Sequence, residues 1–367
     1  MVANRTTLLS ARSPFHYTAA MTTPRRMVII TDGYNDPDTA KTAVCLLRYR
    51  PEEVVAVLDR HAAGSTCQPV FGVGGQIPII ASLAQAPAEA NTFLVGIAPP
   101  GGKIPPQWRP IILDAVSRRL TIVSGLHDLL CDDPEFVAAA QRYGVELVDV
   151  RRNDENDVAN RRGIRDGCLR IHTIGNDCCV GKMVVSVELA AGLNRAGVDA
   201  AFVATGQTGI LVAGGGCPID RVISDFVNGA AEKLVLANQH HDVIVVEGQG
   251  SLFHPRYSCV TLGLLHGLMP DGLILCYEMG RRAFHGMEEI ALPSLEKVVE
   301  FYESAANIMH PCRVIGVAVN SQRFSDEAAA AECEQVGRRL GLPACDVIRH
   351  GPARLVEAVL HLRARNG

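Results

Sequence analysis

The sequence predicts an α/β chain of two domains, each built around a mostly parallel sheet. Three observations carry this. From residue 27 onward, short apolar runs alternate with turns and amphipathic stretches, the pattern of strands joined by crossover helices. The chain has 367 residues, beyond the ~250–300 at which a single core stops growing. The run Ile171–Met183 reads as strand, glycine-bounded loop, Gly-Lys and helix, the order in which a phosphate-binding loop is built.

The elements follow in chain order. Residues 1–26 carry Arg5, Arg12, Arg25 and Arg26 and no sustained apolar segment. They read as a flexible extension rather than a signal peptide, with Met21 and Met27 as alternative starts. Residues 27–150 read as a Rossmann-like domain, with strands at Met27–Thr31, Val54–Leu58, Phe93–Ile97, Thr121–Ser124 and Glu146–Val150. Helices are expected at Thr39–Tyr49, Trp108–Arg119 and Asp133–Tyr143, the last capped by Asp132 or Asp133 with Pro134 at its first position. No GxGxxG follows the first strand, which runs into Thr31-Asp32-Gly33-Tyr34-Asn35, so a dinucleotide site has little support there.

Residues 151–167 hold five arginines and four acids and read as a solvated linker. Residues 168–367 read as a P-loop domain. Its strands are expected at Leu169–Ile174, Ala200–Ala204, Val243–Glu247, Gly272–Tyr277, Arg313–Val319 and Cys345–Ile348. One helix places Val185, Leu189 and Leu193 on a face and stops at Gly197; another places Ile223, Phe226, Ala230 and Leu234 together.

Composition narrows the function. Net charge is −4 and charged residues are 20%, which gives no electrostatic grip on nucleic acid or an anionic membrane. No apolar run reaches the ~18 residues of a spanning helix. The twelve cysteines contain no CxxC pair and read as buried reduced thiols of a cytoplasmic protein. No metal site is expected. A chain of this size and class is expected to form a symmetric homo-oligomer.

The phosphate loop is the strongest local signal. Gly175, Asn176, Asp177, Cys178, Cys179, Val180, Gly181, Lys182 and Met183 form it. Its glycines let backbone N–H groups turn inward, a helix N-terminus adds partial positive charge, and Lys182 adds a full one. Five residues separate Gly175 from Gly181, and Met183 stands where a Ser or Thr would bind Mg²⁺. The long spacing resembles the dethiobiotin-synthetase branch of P-loop proteins. So does Asp242–Gly250, an apolar strand ending in Glu247-Gly248-Gln249-Gly250, and Asn320 resembles that branch's adenine-contacting Asn.

Polar loops follow several strands and should gather at one sheet edge. Gln207 and Thr208 lie in the glycine-dense stretch 204–216. The stretch 247–258 offers Glu247, His254 as a candidate base, Arg256 as a carboxylate clamp, and Tyr257. Arg281 follows another strand.

Taken together, Gly175–Met183, Ala204–Leu211, Ser224–Glu232 and Glu247–Ser258 resemble a two-domain bacterial and archaeal family. So do Ala40–Ala43, Ala98–Lys103, Ile122–His127 and Asp149–Arg151 in the N-terminal half. That family, long labelled a domain of unknown function, holds the D-glutamate N-acetyltransferases of the DgcN type. The resemblance implies transfer of an acetyl group from acetyl-CoA to the amine of D-glutamate. Loop 175–182 would then hold the CoA phosphates, Glu247 or His254 would take the ammonium proton, and Arg256 or Arg281 would pair with a carboxylate. Lys103 is a further candidate substrate contact. Two other readings stay open. One is an ATP-dependent ligase or kinase of the dethiobiotin-synthetase type, against which Met183 counts. The other is a non-catalytic nucleotide-binding protein.

Overall fold

The computed structural model describes residues 24–36, 38–99 and 101–366, so most of the expected extension over 1–26 lies outside the described residues. The described chain divides into two units. One holds residues 24–153 with residues 210–218, and the other holds residues 154–209 with residues 219–366.

The N-terminal unit carries β1 (Met27–Ile30), α1 (Lys41–Tyr49), β2 (Val54–Leu58), α2 (Cys67–Phe71), β3 (Ile79–Ile80), β4 (Thr92–Val95), α3 (Arg109–Ser117), β5 (Thr121–Ser124), α4 (Pro134–Tyr143) and β6 (Leu147–Asp149). Its strands are parallel in the order β3-β2-β1-β4-β5-β6, the Rossmann order. Apolar residues of β1, β2, β4, α3 and α4 form one core around the fully buried Trp108. One amide of the first turn of α1 is taken up by a neighbouring strand end. Ala43 N–H donates to the Gly96 carbonyl at 2.9 Å, in keeping with the missing glycine fingerprint.

The second unit carries β7 (Leu169–Gly175), α5 (Lys182–Arg195), β8 (Ala200–Val203), α6 (Gln207–Ala213, running into 210–218), α7 (Val227–Asn238), β9 (Val243–Val246), α8 (Ser258–Leu268) and β10 (Gly272–Glu278). It continues with β11 (Ala283–Phe284), β12 (Met287–Ala291), α9 (Leu295–Asn307), β13 (Arg313–Asn320), α10 (Asp326–Leu340), β14 (Ala344–Cys345) and α11 (Ala353–Asn366). Six strands form a parallel sheet in the order β14-β13-β10-β7-β9-β8, and β11 and β12 pair as an antiparallel hairpin. Strand β7 is central, and all seven of its residues are buried. One apolar cluster joins α5 and α11 to the sheet, and another joins α8, α9 and α10 to it.

Two expectations change. The helical face drawn through Ile223 and Phe226 does not exist as such. α7 begins at Val227, after a 3₁₀ turn at Ser224–Phe226, and Ile223 is exposed. The charged segment read as a linker lies along α7, where buried Glu232 accepts from Asn160 N–H at 2.8 Å and Arg161 N–H at 2.6 Å. All twelve cysteines are free thiols. Among the described residues, no helix is long and apolar enough to cross a membrane.

Candidate active site

The site is built at the C-terminal edge of the second sheet, where β7, β9, β8 and β10 each deliver a loop. This is the edge at which parallel sheets bind ligands. Loop 176–181 closes between β7 and α5, using left-handed backbone at Cys179 (φ 56°) and Gly181 (φ 96°). Lys182 begins α5, and its ammonium is buried and donates to the Asp177 carbonyl at 2.8 Å. Burial pulls its pKa down. Asn176 Oδ1 and Gln207 Oε1 are buried with no protein hydrogen-bond partner among the described residues. Buried amides without partners point to a bound polar group. Met183 is half-buried on α5.

Asp177 is fully buried and ties three segments together. Its Oδ1 accepts from Cys178 N–H at 2.7 Å, and its Oδ2 accepts from Arg281 Nη1 and from His285 N–H, both at 2.8 Å. His254 Nε2 stands 3.7 Å from Oδ1. Arg281 also donates to the Cys178 carbonyl at 2.8 Å and pairs with Glu278. Its pKa is raised by Asp177 and Glu278 against the opposing effect of burial. The structure thus places both Asp177 and Arg281 in an internal network.

Glu247 follows β9 and is buried. Its Oε2 accepts from Thr205 N–H at 2.9 Å and Gly206 N–H at 3.1 Å, so it organises the turn that leads into α6. A methyl at Gly209 would overlap that oxygen. Gly248 packs under the Lys182 side chain and on the Thr173 carbonyl, with no room for a Cβ. Glu247 therefore adjoins the phosphate loop through its neighbour.

His254 is fully buried and stacks on Tyr257, with ring centroids 4.6 Å apart. Its Nδ1 faces Arg256 N–H at 3.1 Å, so Nδ1 accepts and the neutral ring carries its proton on Nε2, toward His285 O and Asp177. Arg256 and Tyr257 are exposed. Thr208 is buried beside Gln207 at the start of α6. Asn320 ends β13 and accepts from Gln322 N–H at 3.3 Å. Lys103 is exposed and belongs to the N-terminal unit.

The sequence reading passed over Tyr302. Its buried hydroxyl donates to the Gly175 carbonyl and accepts from Leu252 N–H, both at 3.0 Å. No local signal marks it, because it sits on α9, 127 residues from Gly175.

Comparison with known proteins adds an independent line. Residues 157–356 match the model of the DUF1611 C-terminal P-loop domain, a domain of unknown function. Residues 60–153 match the DUF1611 N-terminal Rossmann-like domain. A protein of Tritonibacter scottomollicae named D-glutamate N-acetyltransferase is 39% identical over 87% of this chain and 94% of its own length. A Pseudoalteromonas protein of the same name is 38% identical over 73% of this chain and 80% of its own. The crystal structure of a DUF1611 protein from Anabaena variabilis superposes with a TM-score of 0.86 at 33% identity, covering 92% of this chain and 99% of that one.

Proposed function

The chain belongs to the DUF1611 family, and from that premise we propose that it transfers the acetyl group of acetyl-CoA to the amine of D-glutamate. It is an acyltransferase by the names of its curated relatives. One observation carries the substrate reading. The relative named D-glutamate N-acetyltransferase is matched through 94% of its length, so the likeness is to a whole two-domain enzyme and not to a P-loop domain alone.

In this reading loop 175–182 receives the diphosphate of acetyl-CoA. Lys182 exchanges the Asp177 carbonyl for a phosphate oxygen, and the anion restores the charge that burial disfavours. Asn176 would have to present its amide N–H₂ to the phosphates, because the oxygen that stands unpartnered can only accept. The ammonium of D-glutamate gives one proton to the base, the resulting amine attacks the thioester carbon, the C–S bond breaks, and the second N–H proton, lost as the amide forms, goes to the departing CoA thiolate. Of the two candidate bases Glu247 is the one we assign, because a carboxylate accepts protons even while its Oε2 receives Thr205 N–H and Gly206 N–H, whereas His254 presents a protonated Nε2. The exposed Arg256 is the better partner for a substrate carboxylate, because Arg281 is engaged by Asp177 and Glu278.

The test is acetylation of D- and L-glutamate by the purified chain, followed by thiol release and product mass, with Glu247→Gln alongside. N-acetyl-D-glutamate is expected, with kcat at least about 100-fold lower in the variant. Turnover of Mg²⁺-ATP without acetyl transfer would replace this reading with a ligase or kinase.

A further inference from the structure

We infer that loop 175–182 is built to hold a diphosphate without a divalent cation, the Asp177–Arg281 pair fixing the loop where a metal would otherwise do so. The inference rests on the proposed function only for the identity of the ligand.

A P-loop domain implies Mg²⁺, held by a hydroxyl next to the loop lysine and by an acidic residue of a second motif. The residues here do not fit it. Position 183 is methionine, and a thioether is a poor ligand for a hard, oxygen-seeking ion. The carboxylate at the end of the neighbouring strand, Glu247, gives its Oε2 to two backbone N–H groups.

A different set of donors does converge. Asp177, Cys178 and His254 bring a carboxylate oxygen, a thiol sulfur and a ring nitrogen within 4.8 Å of one another. Their hydrogen bonds argue against an ion there too. His254 accepts at Nδ1, which leaves the proton and not a lone pair on the Nε2 that faces Asp177. Both Asp177 oxygens already receive donors, from Cys178 N–H, Arg281 and His285 N–H.

What the loop has instead is a fixed cation of its own. The Arg281 guanidinium bonds the side chain of Asp177 and the main chain of Cys178, both at 2.8 Å, and Glu278 holds its far side. Two residues of the loop are therefore set by an arginine more than a hundred residues away, before any ligand arrives. A cradle preset in this way needs no metal to order it.

The experiment is calorimetric titration of the full chain with acetyl-CoA and with ADP, each in EDTA and in Mg²⁺. The expected result is binding that differs by less than about twofold between the two conditions, with Asp177→Asn and Arg281→Gln each weakening it by about tenfold or more and Mg²⁺ restoring neither. Binding about tenfold or more tighter with Mg²⁺ overturns the inference and leaves the acetyltransferase reading standing. Cation-independent binding of ADP with none of acetyl-CoA does the reverse. Binding of neither ligand overturns the inference as well, because the loop would then not be a diphosphate site.

Discussion

At the scale of single residues, the site is a set of side chains whose hydrogen bonds leave few alternatives. Tyr302 shows this. Burial pushes its phenol up to about 12, so it stays neutral at working pH and serves as donor and acceptor at once. It joins the first glycine of the phosphate loop to the stretch that follows Glu247. Tyr302→Phe keeps the ring and removes both bonds, leaving Leu252 N–H without its acceptor. It should cost about 1–3 kcal/mol of stability and raise the KM for acetyl-CoA more than the KM for D-glutamate. Urea denaturation and steady-state kinetics read the two effects separately. A stability loss with both KM values unchanged would make Tyr302 a packing residue only. Lys182 and Glu247 were legible in the sequence because each belongs to a contiguous motif. Tyr302 and the engagement of Arg281 by Asp177 were not, because each contact joins segments at least 104 residues apart.

At the scale of elements, most strands with buried apolar runs were legible to within a residue or two, the exception being β14, expected at Cys345–Ile348 and found at Ala344–Cys345. Val54–Leu58 and Thr121–Ser124 are strands as expected. The two-residue β3 and the hairpin β11–β12 were not seen, since a strand so short, or half-exposed like Met287–Ala291, leaves no periodic signature. Helix starts were legible where a cap marks them. Asp133 caps α4 as expected, its carboxylate accepting from Glu135 N–H at 3.0 Å and Phe136 N–H at 3.2 Å. No such residue marks the start of α7, and there the expected start is wrong. Asp133 also pairs with Arg109 of α3, and that hydrogen bond, with the helix N–H groups, lowers its pKa below 3.8. A lowered carboxylate pKa stabilises the fold fully above the unfolded value and ceases to do so as pH falls through the folded one. Asp133→Ala should therefore cost about 1–2 kcal/mol at pH 7, and the gap to wild type should close below pH 3.8. The single tryptophan, Trp108, lies in the same unit, so its fluorescence in urea reports this transition. A gap unchanged at low pH would show that the loss is packing rather than charge.

At the scale of the whole molecule, one buried histidine should make the second sheet the more sensitive to acid. His172 sits in β7, the strand at the centre of the second sheet, and is fully buried. Its Nδ1 lies 3.2 Å from the Val246 carbonyl and donates to it, while Nε2 has no hydrogen-bond partner among the described residues. Burial lowers its pKa from 6.5 to about 4. The sign follows from which state binds the proton. Above pH 6.5 the ring is neutral folded and unfolded, and its titration contributes nothing to the balance. Between 6.5 and about 4 only the unfolded chain takes up the proton, so stability falls with pH throughout that window. The full loss approaches roughly 3 kcal/mol, a large share of a typical domain's stability. Because β7 pairs with both β9 and β10, the whole second unit should feel it. Other buried carboxylates also titrate in acid, so the decisive quantity is the difference between wild type and His172→Leu. Far-UV circular dichroism in urea follows both units, and Trp108 fluorescence follows the first alone. From pH 7 to 4 the wild type should lose more stability than the variant in the dichroism transition, with the Trp108 transition of the two proteins moving together. Parallel losses in both proteins would mean that the buried ring accepts its proton as readily as a histidine in water.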